Sequence, residues 1–220
     1  MATQKKKRSL KSHIFRFTLK AFAWFFALTF LWVLALKWLP VVVTPLTVQR
    51  SIQHRKDEDF HTTLKWRSYE KISPELAKAV IASEDNLFDL HGGLDWVAIS
   101  TAVTEHRNGK KLRGASTISQ QTAKNVFCIP SRSFIRKGFE YYFTELIELL
   151  WGKRRIIEVY LNVAEMGPGI YGAEAAAQYH FKKSAKELRG RRALLPPVFL
   201  THLTEVHPSH PDISVKEPVI

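Results

Sequence analysis

Residues 83–95 read Ser-Glu-Asp-Asn-Leu-Phe-Asp-Leu-His-Gly-Gly-Leu-Asp. An apolar, helix-like run leads into two adjacent acids, Glu84 and Asp85, and a glycine pair interrupts the pattern after them. Glu84, Phe88 and His91 fall at i, i+4 and i+7, so they share one face if the helix continues. A carboxylate partly shielded from water can have its pKa raised toward working pH, which suits a general base. The alternative is a solvated helix end.

Helix signals flank this stretch on both sides. Upstream, Ser73-Pro74-Glu75 combines an N-cap, a proline at the first helical position and an acid in the first turn. Downstream, Asp95 can cap a helix over Trp96 to His106, which Asn108-Gly109 would end.

Residues 116–125, Ser-Thr-Ile-Ser-Gln-Gln-Thr-Ala-Lys-Asn, follow a basic loop over Lys110 to Gly114. They predict a helix with Ser116 near its cap and with Thr117, Gln121 and Lys124 on one face. A helix start that carries hydroxyls, amides and a lysine suits an anion such as phosphate. The alternative is an ordinary polar outer face.

Three more helices are predicted: 134–151 with Ser133 as cap, 154–162, and 171–181 with its three successive alanines. Glu140 lies at i+3 from Lys137 and at i+4 from Arg136, which as surface ion pairs would contribute about 0.3–0.5 kcal/mol each. No β-α-β rhythm and no internal repeat occurs, so the fold class is mainly α.

The net charge of +13 is concentrated at the N-terminus. Residues 1–56 carry eleven Lys and Arg and no acid, whereas the remaining chain has 22 basic against 20 acidic residues. A nucleic-acid-binding face is therefore not indicated. Cys128 is the only cysteine, which excludes an intrachain disulfide and a thiolate metal cluster.

Seven Lys and Arg precede a long apolar run. We predict a basic cytoplasmic tail over 1–20, a transmembrane anchor over 21–43 and a juxtamembrane linker over 44–63, where short strands or no regular structure are expected. As a helix, 21–43 would be roughly 34 Å long, enough to cross a bilayer. The cations put the N-terminus in the cytoplasm. A cleaved signal peptide is disfavoured because the run is too long for one.

Five ordered motifs between residues 64 and 188 resemble the signatures of the peptidoglycan glycosyltransferases, glycosyltransferase family 51. The motifs are residues 79–95, Gly114 to Phe127 with Ser-Thr-Ile-Ser-Gln-Gln, Arg136-Lys137-Gly138-Phe139-Glu140, residues 155–162 (Arg-Ile-Ile-Glu-Val-Tyr-Leu-Asn), and residues 169–181. One anchor with no transpeptidase domain behind it is similar to the monofunctional biosynthetic transglycosylase branch.

The resemblance implies a lysozyme-like helical domain over 64–188 that polymerises lipid II into glycan strands. By motif, Glu84 matches the general base that takes the proton of the acceptor 4-hydroxyl, and Glu140 matches a second essential carboxylate. Positions around the donor diphosphate and sugars are matched by Ser116, Gln120, Gln121, Lys124, Arg132 and Lys137. Within the same motifs, Asp85, Phe88, His91, Thr117 and Asn125 are further expected substrate-binding residues.

The residues also separate transfer from hydrolysis. A lysozyme-type hydrolase must protonate a poor alkoxide leaving group, so it needs an acid with a raised pKa. A lipid diphosphate instead needs positive charge aimed at the negative charge it develops. Lys124, Arg132 and Lys137 accompany the two carboxylates, which favours transfer. A peptidoglycan hydrolase and a non-catalytic lipid II binder stay open as alternatives.

As partners, the resemblance implies lipid II, the growing glycan strand and the bacterial inner membrane, with the catalytic domain in the periplasm. Penicillin-binding and cell-division proteins are further candidates. The residues define no metal site, although a divalent cation such as Mg²⁺ could bridge Asp85 or the substrate diphosphate. Phe127, Phe134 and Phe139 are candidates for contact with the membrane interface.

After Leu188 the resemblance is expected to fail. Residues 189–220 form a Pro- and His-rich tail in which five prolines exclude a long helix. His202, His207 and His210 could be metal ligands, or incidental residues of a flexible tail.

Overall fold

A computed structural model of the chain describes residues 10–57, 62–109, 116–131 and 133–190. The chain divides into two compact units, Met1–Leu39 and Pro40–Ile220. Arg132, the loop over 110–114 and the tail residues from 191 onward, including the three tail histidines, lie outside the described residues.

The first unit contains one long helix, α1, from Leu10 to Leu36. Among the described residues it is the one helix long and apolar enough to cross a membrane. The predicted continuation of the helix through Val43 is wrong. Pro40 has no N–H and disfavours the α conformation at the residue before it, so the chain leaves the helix before Pro40.

The second unit begins with a short helix, α2 (Pro45–Gln53), inside the segment predicted as a linker of short strands or no regular structure. Thr44 and Thr47 close a capping box around its first turn, and Pro45 occupies the first helical position. The local signals for this helix are therefore the same as those that identified the later helices.

Six further α-helices confirm the mainly α fold class among the described residues. They are α3 (Pro74–Glu84), α4 (Trp96–Arg107), α5 (Ile118–Phe127), α6 (Phe134–Leu150), α7 (Lys153–Val163) and α8 (Gly172–Phe181). Short 3-10 helices lie at Tyr69–Lys71 and Ala185–Glu187. Ser73, Asp95 and Ser133 each accept a backbone hydrogen bond as N-caps, as predicted.

The strands form a small sheet, with β1 (Thr63–Leu64), β2 (Glu165–Gly167) and β3 (Ile170–Tyr171) in the order β1-β3-β2. β1 pairs with β3 in parallel, and β2 pairs with β3 in antiparallel. This pairing joins the start of the second unit to the entry of α8.

The hydrophobic core lies where α5, α6 and α7 pack together. Ile118, Ile147 and Ile156 are completely buried there. Phe127 belongs to this core as well, because it is 8% exposed and its ring stacks on Phe143 with centroids 4.6 Å apart. The membrane contact considered for Phe127 is therefore wrong.

Helix α3 ends at Glu84, and Asp85 is its C-cap with an extended φ of −163°. The helix does not continue to His91, so Glu84, Phe88 and His91 do not share a helical face. A tertiary contact accounts for this ending, because the Asp85 carboxylate accepts a hydrogen bond from the backbone N–H of Ile118 at the start of α5.

Gly172, at the start of α8, has a φ of +80°, and a Cβ added there would lie 2.4 Å from the Asn162 carbonyl oxygen. We expect Gly172→Ala to lower the free energy of unfolding by about 2–3 kcal/mol, measured by denaturant unfolding of the full-length chain in detergent. Gly109→Ala is the matched control, because Gly109 also has a φ of +80° but no atom of the described residues lies within 4 Å of the added carbon. Gly109→Ala should lower the free energy of unfolding by about 1–2 kcal/mol. Equal losses in the two variants would contradict a steric overlap at Gly172.

Candidate active site

Helix α5 carries the polar side chains around which the candidate site is built. Its first turn is closed by a capping box between Thr117 and Gln120, and the Thr117 hydroxyl donates to the Gly93 carbonyl oxygen over 2.6 Å. Thr117, Gln120 and Asn125 are all buried, at 2%, 5% and 7% exposure. Thr117 and Gln120 fix the start of the helix. The substrate contact predicted for Thr117, Gln120 and Asn125 stays a prediction.

Among the described residues, one carboxylate oxygen of Glu84 has a hydrogen-bond donor and the other has none. Its Oε2 accepts a hydrogen bond from Nε2 of Gln121 at 3.1 Å. Its Oε1 is buried and accepts no hydrogen bond from the residues that the structure describes. A carboxylate oxygen that is shielded from bulk water and lacks a donor can take a proton from a bound hydroxyl, which is the requirement for a general base.

Asp85, the next residue, is held by the protein. Its carboxylate lies 2.8 Å from Nε2 of His91 and accepts the Ile118 N–H at 2.9 Å. The Gly93 N–H donates to Nδ1 of His91 at 3.2 Å, so Nε2 carries the proton that His91 donates to Asp85. Both side chains are at most 10% exposed. Asp85 and His91 therefore fix the loop after Glu84, and the substrate contact predicted for them stays a prediction.

Phe88 lies beneath this loop and is 1% exposed. The ammonium group of Lys153 lies 4.5 Å from its ring centroid, donates to the His91 carbonyl oxygen at 2.5 Å and pairs with Glu148 at 2.8 Å. In this structure the Phe88 ring supports the loop from within the core, and its predicted substrate-binding role stays a prediction.

Glu140, the second predicted carboxylate, is buried at 2% exposure near the start of α6. It accepts hydrogen bonds from Nη1 of Arg136 at 2.6 Å and from Nζ of Lys137 at 2.5 Å. These contacts are not ordinary surface ion pairs, because the carboxylate has lost most of its contact with water. Removing a partner of a buried ion pair typically costs about 3–5 kcal/mol.

Lys124 lies close enough to Glu140, Arg136 and Lys137 for their charges to act on it. Its pKa is lowered, mainly because the surrounding protein removes part of the hydration of the ammonium group. The negative charge of Glu140 opposes this shift, and the positive charges of Arg136 and Lys137 add to it. Lys124 nevertheless keeps an exposed surface, so it can meet an anion from solution.

The two carboxylates meet the same face of α5 at neighbouring positions. Gln121 reaches Glu84, and Lys124, three residues further along, lies in the field of Glu140. Residues at i and i+3 of a helix have their Cβ atoms about 5–6 Å apart. The arrangement therefore combines a proton acceptor with a cationic cluster, defined here as Lys124, Arg136 and Lys137.

The remaining predicted site residues fall into two groups. Ser116 is exposed immediately before the cap of α5, and Lys137 has 51% of its side chain exposed, so both can reach a ligand. Arg132 lies outside the described residues.

Several residues of the site were not predicted as such. Arg136 was predicted only to form an ion pair with Glu140 along the helix. Its i+4 spacing from that carboxylate was the signal that could have placed it in the site. Tyr160 is completely buried, and its hydroxyl lies 3.5 Å from Oε1 of Gln121. Lys153 joins a loop 62 residues away, a contact that no local pattern could reveal.

The last two motifs fix the scaffold. Asn162 accepts the Arg67 N–H at 2.7 Å and donates to the Arg67 carbonyl at 2.8 Å. Glu174, 2% exposed, pairs with the Arg67 guanidinium at 3.2 Å and accepts the Ala185 N–H at 2.9 Å. Asn162 and Glu174 therefore have a structural role: they attach the segment before α3, at Arg67, and the segment after α8, at Ala185, to the domain.

Within the described ranges, no group of three His, Cys, Asp or Glu side chains is arranged to hold a metal ion. Cys128 is buried, and burial together with the negative charge of Glu140 raises the pKa of its thiol to about 11. The thiol therefore stays protonated and unreactive at neutral pH.

The sequence model of the family described as Transglycosylase matches residues 50–209 of the chain. The match extends beyond Leu188, where the resemblance had been expected to end. The chain is also similar to proteins called biosynthetic peptidoglycan transglycosylase. It is 52% identical over 183 residues to the one from Bacteroides thetaiotaomicron, covering 83% of the chain and 74% of that relative. It is 44% identical over 199 residues to the one from Pseudomonas savastanoi pv. phaseolicola, covering 90% and 84%.

A relative of the same name from Shewanella oneidensis is 60% identical over 131 residues, which cover 60% of this chain and 56% of that protein. The extent of the family match and these identities establish that the chain belongs to the transglycosylase family. The resemblance found in the five motifs and the lysozyme-like, mainly helical fold are thereby confirmed.

Proposed function

We propose that this chain is a peptidoglycan glycosyltransferase that polymerises lipid II into glycan strands. The observation that carries the proposal is the face of α5. There Gln121 bonds to Glu84, whose buried Oε1 has no hydrogen-bond donor among the described residues. One turn further along the same face, Lys124 belongs to the cationic cluster. The names of the relatives support the choice of peptidoglycan.

In this mechanism, Oε1 of Glu84 takes the proton of the acceptor sugar's 4-hydroxyl. The hydroxyl oxygen then bonds to C1 of the donor sugar, and the bond between C1 and the diphosphate oxygen breaks. The lipid diphosphate leaves with the electron pair of that bond, and Glu84 later releases its proton to solvent. Each turnover thus extends the strand by one glycosidic bond and frees one lipid diphosphate.

The cationic cluster stabilises the leaving group. Lys124 and Lys137 have exposed surface, so their ammonium groups can meet the charge that develops on the diphosphate. Glu140 holds Arg136 and Lys137 in place from the buried side. A divalent cation, if the enzyme uses one, would be held by Asp85 or by the substrate diphosphate and would add positive charge at the leaving group.

We place the reaction at the outer face of the bacterial inner membrane, with α1 as a single-pass anchor and the N-terminus in the cytoplasm. The cations before the span support this orientation. A lipid-tailed donor is confined to the membrane plane, so anchoring the enzyme there raises its effective concentration.

The experiment that tests the function incubates the full-length chain in detergent with lipid II, and in parallel with finished glycan. We expect strands to grow from lipid II and finished glycan to keep its length. Shortening of finished glycan without growth from lipid II would contradict the proposal and favour the hydrolase.

An apolar rim, defined as Ile129, Phe134, Ile135 and Phe139, adjoins the cationic cluster along the chain. Phe134 is 98% exposed, and Ile129 and Ile135 are each 75% exposed. Exposed apolar groups next to cations suit the interface of an anionic membrane. We propose that this rim dips into the bilayer surface beside the lipid-linked substrate.

A fluorescent probe can test the rim in the full-length chain in vesicles. We expect a polarity-sensitive dye on Phe134→Cys to shift to the blue and to be protected from an aqueous quencher. Cys128 should not be labelled because its thiol is buried and protonated. The control is Leu149→Cys, at the other end of α6 and 76% exposed. Equal quenching at both positions would contradict membrane contact at Phe134.

A further inference from the structure

A line of three side chains runs from the core to Glu84. Tyr160 on α7 is completely buried, and its hydroxyl donates to Oε1 of Gln121 at 3.5 Å, a long hydrogen bond. Nε2 of Gln121 in turn donates to Oε2 of Glu84 at 3.1 Å. The proton transfer proposed for Glu84 involves its Oε1 atom, whereas this line of hydrogen bonds reaches the opposite oxygen.

The chemistry of the two ends sets the orientation of the Gln121 amide. A carboxylate accepts hydrogen bonds and cannot donate them, so the NH₂ group must point toward Glu84. The carbonyl oxygen then points toward Tyr160, which can supply an O–H. Burial raises the pKa of Tyr160 well above its ordinary value, and the charges of Glu84 and Asp85 raise it further, so the hydroxyl keeps its proton.

The charged and titratable groups around this line come from four elements. Asp85 and His91 belong to the loop after α3, and Tyr160 belongs to α7. Lys124 lies one turn beyond Gln121 on α5, and the charges around it come from α6 (Arg136, Lys137 and Glu140). The charges of both Glu84 and Asp85 act on Tyr160.

We propose that Tyr160 and Gln121 form a hydrogen-bonded relay that holds the Glu84 carboxylate by Oε2 and leaves Oε1 to accept the proton of the sugar. This inference rests on the proposed function, since it deepens the role of Glu84 as base. Gln121 and Tyr160 are then positioning residues, and the direct contact with the donor expected for Gln121 is replaced by a contact with the base.

The relay predicts a change in pH dependence. A hydrogen bond to the charged form of a carboxyl lowers its pKa, so removing the donor raises it. For Gln121→Met, we expect the acidic limb of kcat/KM to move to higher pH by about one unit. Tyr160→Phe should move the limb in the same direction by less, because Gln121 can still donate. The measurement is the rate of lipid II polymerisation by the full-length chain across pH.

A control variant and two contrary outcomes distinguish the relay from a substrate contact and from a purely structural role of Gln121. Tyr179→Phe, an exposed tyrosine on α8, should leave the limb in place. A rise in KM for Gln121→Met with an unmoved limb would overturn the relay and make Gln121 a substrate contact. Loss of kcat at every pH with an unmoved limb would also overturn it, as a purely structural effect.

Glu84→Gln distinguishes failure of the relay from failure of the proposed function. If that variant is inactive while the limbs of Gln121→Met and Tyr160→Phe stay at the wild-type pH, Glu84 is the base and the relay is wrong. If that variant polymerises at the wild-type rate, Glu84 is not the base, and both proposals fall.

Discussion

Replacing Glu84 with glutamine is expected to lower the rate of lipid II polymerisation by about 10²–10⁴-fold, the range that a general base contributes. The glutamine side chain has nearly the same shape and can still accept the hydrogen bond from Gln121, but it cannot take up a proton. Lipid II should still bind, because the cationic cluster is unchanged. Single-turnover rates and equilibrium binding of lipid II in detergent would measure the two quantities separately.

Glu75→Gln is the matched control for this prediction. Glu75 lies on the same helix, α3, but in its first turn and exposed. That variant should polymerise at the wild-type rate. If Glu84→Gln also kept the wild-type rate, the proton would be accepted by another group and the assignment of Glu84 would fail.

Lys124→Met is expected to lower kcat by about 10²–10³-fold, as expected when one preorganised group that stabilises transition-state charge is lost. The substitution keeps most of the apolar stem and removes the charge. The fold should hold, because Arg136 and Lys137 supply the hydrogen bonds to Glu140. Steady-state kinetics with lipid II would measure the loss, and the melting temperature would confirm the fold.

The lowered pKa of Lys124 adds a pH dependence to this prediction. An ordinary lysine has a pKa of 10.5, and Lys124 loses its proton at a lower pH than that. The alkaline limb of wild-type activity should therefore begin below the ordinary lysine range and disappear in Lys124→Met. Lys183→Met, an exposed lysine after α8, is the control. If the alkaline limb persisted in Lys124→Met, that limb would belong to the titration of another group.

Local signals predicted most helices of the domain, because caps act within four residues of the helix start. Ser73 and Pro74 began α3, and Ser133 began α6, as predicted. Helix α2 shows that the same signals can be overlooked, since Thr44 and Pro45 carry a cap and a helix-starting proline. The sequence therefore contained enough local information to predict α2.

Burial at the site could not be predicted from local signals. Residue spacing shows which side chains share a face, but it does not show which face other elements will cover. Phe88 and Thr117 lie in the right motifs and are nevertheless buried by contacts with distant elements. The end of α3 at Glu84 likewise depends on a bond from Asp85 to a backbone N–H 33 residues away. Such long-range contacts are set by the folded chain and not by local preference.

Gln121 and Lys124 belong to one uninterrupted helix. The backbone repeat of α5 therefore fixes the separation between the residue that bonds Glu84 and the cationic cluster. Loops around the site can lengthen or shorten during evolution without changing that separation. An insertion within α5 could not be absorbed in this way, because each added residue rotates the remainder of the helix by about 100°. Length variation among transglycosylases that keep this arrangement should therefore be found outside this helix.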